Sequence, residues 1–325
     1  VEYTTDGQSV NIVYSDATKG WIPLEDDVTA LEPVAPPTQR ALFGYGTTGS
    51  VVSLKNLVNS SGVIAADVTG VGSAREGLAA ASYGGDKAIF AYGKTASLVS
   101  LKNLANNVGV IAADVTGVGT ARQQLGATTF GLDKAIFGFG HSGSLTGVTN
   151  LVNNSGTVAS DVSAVGTARN HIAGVGFGSS GQGIFRGGYD GSDYTGVSNL
   201  VSNLGVVASD VTAVGTGRSG SSGCTFGADK AIFGFGYDGS AYTGITNLVS
   251  NTGVVAADVS AVGTARGSLA AAGYGGDKGL FGYGATGSYL SMKNLVNTSG
   301  VVAADVTGVG TARSLLAAAG YSYSA

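Results

Sequence analysis

Residues 267–313 read GSLAAAGYGGDKGLFGYGATGSYLSMKNLVNTSGVVAADVTGVGTAR, and close on the last of six equivalent arginines. The earlier ones are Arg75, Arg122, Arg169, Arg218 and Arg266, and the six are spaced by 47, 47, 49, 48 and 47 residues. Apolar residues in the unit fall in four short runs: LAAAGYGG, GLFGYG, a run around KNLV, and VVAADV. Each run ends in Gly, Ser, Asn or Asp and is too short for a helix, so each reads as a strand. Four antiparallel strands repeating every 40 to 50 residues is the pattern of a β-propeller blade. Glycine every few residues excludes helical repeats.

The count of runs predicts how the ring closes. The second run occurs six times: ALFGYG at 41, AIFAYG at 88, AIFGFG at 135, GIFRGG at 183, AIFGFG at 231 and GLFGYG at 279. The first run precedes five of these but not the earliest. A sixth copy, Arg313-Ser-Leu-Leu-Ala-Ala-Ala-Gly-Tyr, stands near the C-terminus with no second run after it. The expectation is an all-β, six-bladed propeller over residues 40–325, with the C-terminal strand completing the first blade and removing two sheet edges.

Composition agrees with a folded array. Glycine makes up 56 of 325 residues, yet 43% of the chain is hydrophobic, enough apolar material for a core. Charged residues are only 12% and the net charge is −4 with no basic cluster, which argues against nucleic acid as a partner. A single cysteine, Cys224, excludes an internal disulfide framework. No apolar run has the length of a membrane-spanning helix, and no membrane partner is expected. All four prolines, Pro23, Pro33, Pro36 and Pro37, precede residue 40. Residues 1–23 alternate around SVNIVY and read as a strand or hairpin ending an N-terminal β module, and 24–39 as an acidic, proline-rich linker. The chain opens at Val1, as a processed start or the cut edge of a longer protein would.

Ile184-Phe-Arg-Gly-Gly-Tyr-Asp-Gly-Ser192 resembles the kelch motif, with its double glycine closing the second strand and a YDGS turn. The arginine ending each unit and the closure by the C-terminus are similar to kelch propellers as well. Most other units carry Gly-x-Gly in place of the doublet, and the family's tryptophan near the fourth strand is absent. The segments KNLVN-x-SGVVAADVTGVGTAR and DGQSVNIVYSDATKGWIP resemble parts of phage tail-fibre and other virion structural proteins. That resemblance implies a virion-surface location, other virion proteins as partners of the N-terminal segment, a host-surface glycan or receptor as target, and possible homo-oligomerisation.

Candidate chemistry is sparse. Gly44–Gly49 and residues 138–143, 234–239 and 282–287 fit G-x-G-x-x-G, but a strand follows where phosphate binding needs a helix N-terminus, so they read as turns. Every unit has an aspartate eight residues before its arginine (Asp67, Asp114, Asp161, Asp210, Asp258, Asp305), which suggests wiring between blades rather than six active sites. Asp-Lys pairs such as Asp86-Lys87 suit the turn between the first and second strands. His141 and His171, the two histidines, have no metal-ligand spacing, and no serine sits in a nucleophile elbow. No catalytic residue, metal or cofactor is assigned.

The units differ most in the loop after the second strand, which reads TTGS, KTAS, HSGS, YDGSD, YDGSA and ATGS in turn. His141, Tyr189, Asp190, Asp193, Tyr194, Tyr237, Asp238 and Tyr242 are therefore the candidate ligand-binding residues, joined by Arg186, which stands where other units have Gly or Ala. Tyrosine rings stack on the apolar faces of sugars while aspartates take hydroxyls. The expected function is attachment by a non-enzymatic virion appendage. The alternative is a free carbohydrate-binding propeller of a cell surface or secretion, with equivalent pockets in most blades.

Overall fold

The computed structural model describes residues 12–16, 20–23 and 38–323. The proline-rich segment 24–37 and most of the N-terminal stretch lie outside them. The chain divides into two compact units, Val1–Pro37 and Thr38–Ala325. In the first, β1 (Ile12–Asp16) pairs antiparallel with β2 (Gly20–Pro23), with a bulge between Tyr14 and Asp16.

The second unit is all-β, and no helix occurs among the described residues. Its 18 strands form six three-stranded antiparallel sheets in a propeller-like arrangement. The first sheet joins β20 (Ala317–Tyr323) to β3 (Thr38–Gly44) and β4 (Lys55–Val58). The next two are β5 (Ala79–Tyr83), β6 (Lys87–Ala91), β7 (Lys102–Ala105), and β8 (Gly126–Phe130), β9 (Lys134–Gly138), β10 (Thr149–Val152). The fourth is β11 (Ala173–Phe177), β12 (Gln182–Arg186), β13 (Ser198–Val201). The fifth and sixth are β14 (Ser222–Phe226), β15 (Lys230–Gly234), β16 (Thr246–Val249), and β17 (Ala270–Tyr274), β18 (Lys278–Gly282), β19 (Lys293–Val296). β20 runs antiparallel to β3 from Ala317↔Gly44 to Tyr323↔Thr38, so the two ends of this unit share one sheet.

The fourth run does not form a strand. In the first sheet it touches β4 only through isolated bridges at Val58↔Ile64 and Lys55↔Val68, and the other sheets repeat this. The Asn56 side chain explains the gap. Its Nδ2 donates to the Ala65 carbonyl and to Asp67 Oδ1, so a side-chain amide replaces the backbone ladder and the segment bows outward. The expectation of four regular strands per sheet is corrected to three plus this bridged segment.

Two cycles of backbone hydrogen bonds link the six sheets. At one end Gln124 N–H donates to the Gly77 carbonyl, His171 to Gln124, Gly220 to His171, Ser268 to Gly220, Leu315 to Ser268 and Gly77 to Leu315. These six bonds, of 2.6–2.9 Å, return to their starting residue. All six residues have φ between 51° and 62°, a left-handed conformation that aims each amide at its neighbour. At the other end Gly84 donates to Asp133, Gly131 to Gly181, Gly178 to Asp229, Gly227 to Asp277, Gly275 to Gln39 and Ser322 to Asp86.

The core is divided into six apolar clusters, one between each pair of neighbouring sheets. Strand alternation supplies them: Ile89 faces the third sheet while the next residue, Phe90, faces the first. Both are fully buried, as are their counterparts in other units. Around the axis the strands present Ala80, Ala127, Gly174 and Gly223 toward one end and Ser82, Thr129, Gly176 and Thr225 toward the other. Small side chains here let six strands approach one another.

Candidate functional site

Each unit's arginine is clamped to the next unit. Arg75 Nε donates to the Tyr92 carbonyl (2.9 Å), one terminal nitrogen to Asn103 Oδ1 (2.7 Å), and the other lies 3.8 Å from Asp114. Its guanidinium stacks on Tyr45, 4.2 Å from the ring centroid. Two residues before it, Ser73 donates through its amide and hydroxyl to Asp114. The same Ser/Thr-x-Arg clasp on the next unit's Asn and Asp recurs in the other units, with Thr311 and Arg313 holding Asp67 and Asn56, except that at Arg122 only Thr120 reaches the next unit's aspartate. The six aspartates are thus inter-unit ties: five lie within 3.7–3.9 Å of the preceding unit's arginine rather than pairing with their own, and Asp161 is held by Thr120 of the preceding unit. Lys55, Lys102 and Lys293 add further ties to the carbonyls of Gly109, Gly156 and Gly62.

The variable loops lie at the end of the axis where the positive-φ ring stands. Each folds into a small hairpin held by bridges: Thr47↔Val51, Lys94↔Leu98, His141↔Leu145, Tyr189↔Tyr194, Tyr237↔Tyr242 and Ala285↔Tyr289. The first residue of each also bridges the segment entering a leading strand, as Asn170↔Tyr189 and Ser219↔Tyr237 do. In units four and five the hairpin holds one residue more. Asp190 accommodates it by accepting the amides of Ser192 and Asp193 on Oδ1, and Asp238 does the same for Ser240 and Ala241. These amides hold both carboxyls below the usual carboxylate range.

The structure brings the four sequence-selected tyrosines into one file. Ring centroids of Tyr189 and Tyr194 are 5.1 Å apart, Tyr194 and Tyr237 5.4 Å, and Tyr237 and Tyr242 5.3 Å. The middle contact crosses from unit four to unit five. Tyr189 and Tyr237 tie their hydroxyls to Gly191 and Gly239 carbonyls of their own loops. Tyr194 lies on Gly239 and Tyr242 on Gly267, so closely that a Cβ there would come within 2.8 and 2.9 Å of the rings. Tyr242 remains 40% exposed and Tyr289, at the equivalent place in unit six, 39%. The rim is thus aromatic at Tyr194, Tyr242 and Tyr289, and aliphatic at Val51, Leu98 and Leu145.

The other candidates are placed less centrally. His141 occupies the equivalent hairpin position in unit three, its Nδ1 accepting the Gly143 amide at 3.4 Å. Asp193 is exposed at the loop tip. Arg186 departs from expectation: it is 1% exposed, packed between units four and five and out of reach of a ligand at the rim. Sequence reading missed Tyr289, which alignment of its hairpin with YDGSAY would have found. It also missed the buried asparagines of the N-L-[VA] segments, whose presence in all six units was the available signal.

Beneath the rim the axis holds a cavity of about 100 Å³ lined by the leading strands and by Gln124, His171 and Ser268. Burial pulls His171 down to about 4, so it is neutral there at pH 7. Cys224 is buried in the core with its thiol pushed up by burial, an unreactive position. Among the described residues no cluster of three or more His, Cys, Asp or Glu side chains is placed to hold a metal ion, and no helix is long and apolar enough to cross a membrane. No protein-family model matches the chain, and no curated protein matches it.

Proposed function

We propose that this chain is a non-enzymatic structural protein of a virus particle, an appendage component resembling phage tail fibres. In this reading each three-stranded sheet with its bridged outer segment is one blade of a six-bladed, kelch-like propeller. The propeller attaches to a glycan or protein on the host cell surface, and the N-terminal unit joins it to other virion proteins.

The observation that carries the reading is the file Tyr189–Tyr194–Tyr237–Tyr242 across two adjacent loops. Four aromatic rings at a rim, with Asp190, Asp193 and Asp238 in the same loops, offer apolar faces and hydrogen-bond acceptors together, the pairing that saccharides require. The aspartates on the Asn and Thr clamps are committed to holding units together, which leaves them no catalytic part. A free lectin with one pocket per blade would repeat such groups on every loop, whereas Thr47, Lys94, His141 and Ala285 occupy the first hairpin positions of the other four units.

The test is adsorption of the full chain to a panel of bacterial cells and their purified surface polysaccharides. Binding that Tyr194→Ala or Tyr242→Ala weakens, with the variants' melting unchanged, supports attachment through this rim. Folded protein that adsorbs to no cell or polysaccharide in a broad panel would falsify the glycan reading.

A further inference from the structure

Five of the six interfaces between units share one construction. An aromatic residue at positive φ (Tyr45, Tyr92, Phe139, Phe235 or Tyr283) packs edge-on or tilted against a phenylalanine of the next sheet. An arginine guanidinium lies over its other side, 4.2–4.5 Å from the centroid. Where the aromatic is tyrosine, its hydroxyl donates to a valine carbonyl: Val71, Val118 or Val309.

The interface between units four and five is built differently. The ring position is Gly187, and the preceding residue, glycine or alanine elsewhere, is Arg186. The Arg186 side chain takes the ring's place. One terminal nitrogen donates to the carbonyl of Val214, the counterpart of Val71, and its Cζ lies 5.9 Å from the Phe233 ring centroid. Its Nε and its other terminal nitrogen are buried and have no protein partner.

The charge count is unbalanced as well. Each other interface buries a single one of these guanidinium groups, and in four of the five it lies 3.7–3.9 Å from a carboxylate. Here Arg186 joins Arg218, and both face the single carboxylate of Asp258, which is already engaged by Thr216, Asn247 and Arg218. Burial first, and then the charge of Arg218, pulls Arg186 down to about 10, with Asp258 opposing, so the guanidinium stays charged at neutral pH. Two buried guanidinium groups that share one carboxylate leave one of them without a counter-charge of its own.

We propose that this interface is a site for a small monovalent anion of the halide class, held on the buried Arg186 guanidinium by its free Nε–H. The ligand supplies the counter-charge that an aspartate supplies elsewhere. A monatomic ion is the class with no further polar atoms to satisfy inside this apolar interface. The site is independent of the tyrosine rim and stands or falls without the attachment reading.

The experiment uses the full chain purified in sodium gluconate. Its melting temperature is measured in sodium chloride and in sodium gluconate at equal ionic strength, and a crystal is soaked in bromide. The expected results are a chloride-specific rise of about 5 °C and an anomalous bromide peak on Arg186. The double substitution Arg186→Gly with Gly187→Phe recreates the Gly-Phe pair of Gly138-Phe139 and Gly234-Phe235 and should abolish both. Arg186→Met is the second variant and should abolish both too. Equal melting in the two salts, a chloride effect that survives in the variants, or a bromide-free Arg186 bonded only to water would overturn the proposal.

Discussion

Arg313 and Asn56 stand 257 residues apart in the chain and share a hydrogen bond of 2.7 Å between guanidinium and amide oxygen. Arg313 also donates to the Tyr45 carbonyl, and Thr311 binds Asp67 through amide and hydroxyl. The same clasp joins sequence neighbours elsewhere. Here it joins the last unit to the first, alongside the β20–β3 pairing.

Removing residues 314–325 takes away β20, exposes the edge of β3 and uncovers β5 and β17, which pack against β20. The first sheet then keeps only β3 and β4, too little for independent stability. Thermal unfolding of this truncation should lose its single sharp transition. Calorimetry that gives a truncated chain the melting profile of the full one would count against an essential seal.

The arginine clamps are not equal. Arg266 donates to Tyr283, Thr264 and Asn294 and approaches Asp305 at 3.9 Å. Arg122 keeps its bonds to Phe139 and Thr120, but one terminal nitrogen and its would-be partner Asn150 Oδ1 are both unsatisfied. Replacing Arg266 with Met strands Asn294 and Asp305 and should cost about 3–5 kcal/mol in urea unfolding. Arg122→Met should cost clearly less, and equal losses would contradict this ranking.

The repeat made the sheets legible: runs such as AIFGFG and TNLV announce themselves by alternation and by turn residues on each side. The fourth run misled because VVAADV has strand composition, and nothing local reveals that an asparagine nine residues earlier takes its backbone partner. The pairing of five of the six aspartates with the preceding unit's arginine was hidden for the same reason, since it is a contact across units. Loop divergence singled out the tyrosines that the structure brings into one file, because surface turns are freed from the packing that holds other positions alike. Arg186 diverges too, but its divergence is a packing exchange with Gly187 inside the core, and a list of differences cannot separate the two cases.

His171 sets a pH dependence. Its folded value, about 4, lies below the ordinary value near 6.5, because burial disfavours the imidazolium. Above about pH 6.5 the ring is neutral folded and unfolded, and no stability is at stake. As pH falls from there toward 4, the unfolded chain takes up a proton that the folded chain does not, and stability declines. The loss has a ceiling of about 3 kcal/mol, reduced by the ring's partial exposure at the mouth. For Asp67, burial acts upward, but bonds from Thr311 and Asn56 and the charge of Arg313 outweigh it, so its stabilisation is lost only at lower pH. His171→Gln, which copies Gln124 in the same ring, should flatten the slope between pH 6.5 and 4 while keeping the steeper acid loss. An unchanged slope in urea titrations would remove His171 as its source.

The rim gives the sharpest functional contrast, because its two arcs differ in chemistry at equivalent backbone positions. Tyr194, Tyr242 and Tyr289 close their hairpins on one side, and Val51, Leu98 and Leu145 on the other. If saccharide faces stack on the rim, aromatic area decides affinity and aliphatic area does not. Tyr242→Ala should weaken binding to a surface polysaccharide about tenfold, in keeping with about 0.5–1.5 kcal/mol for a well-placed ring contact beyond its buried area. Tyr194→Ala should do more, since its ring packs against both Tyr189 and Tyr237 and its loss frees each of them. Leu98→Ala should leave binding within twofold. Equal losses on the two arcs, measured by calorimetry on variants with unchanged melting, would mean the ligand reads apolar surface in general and is a protein rather than a glycan.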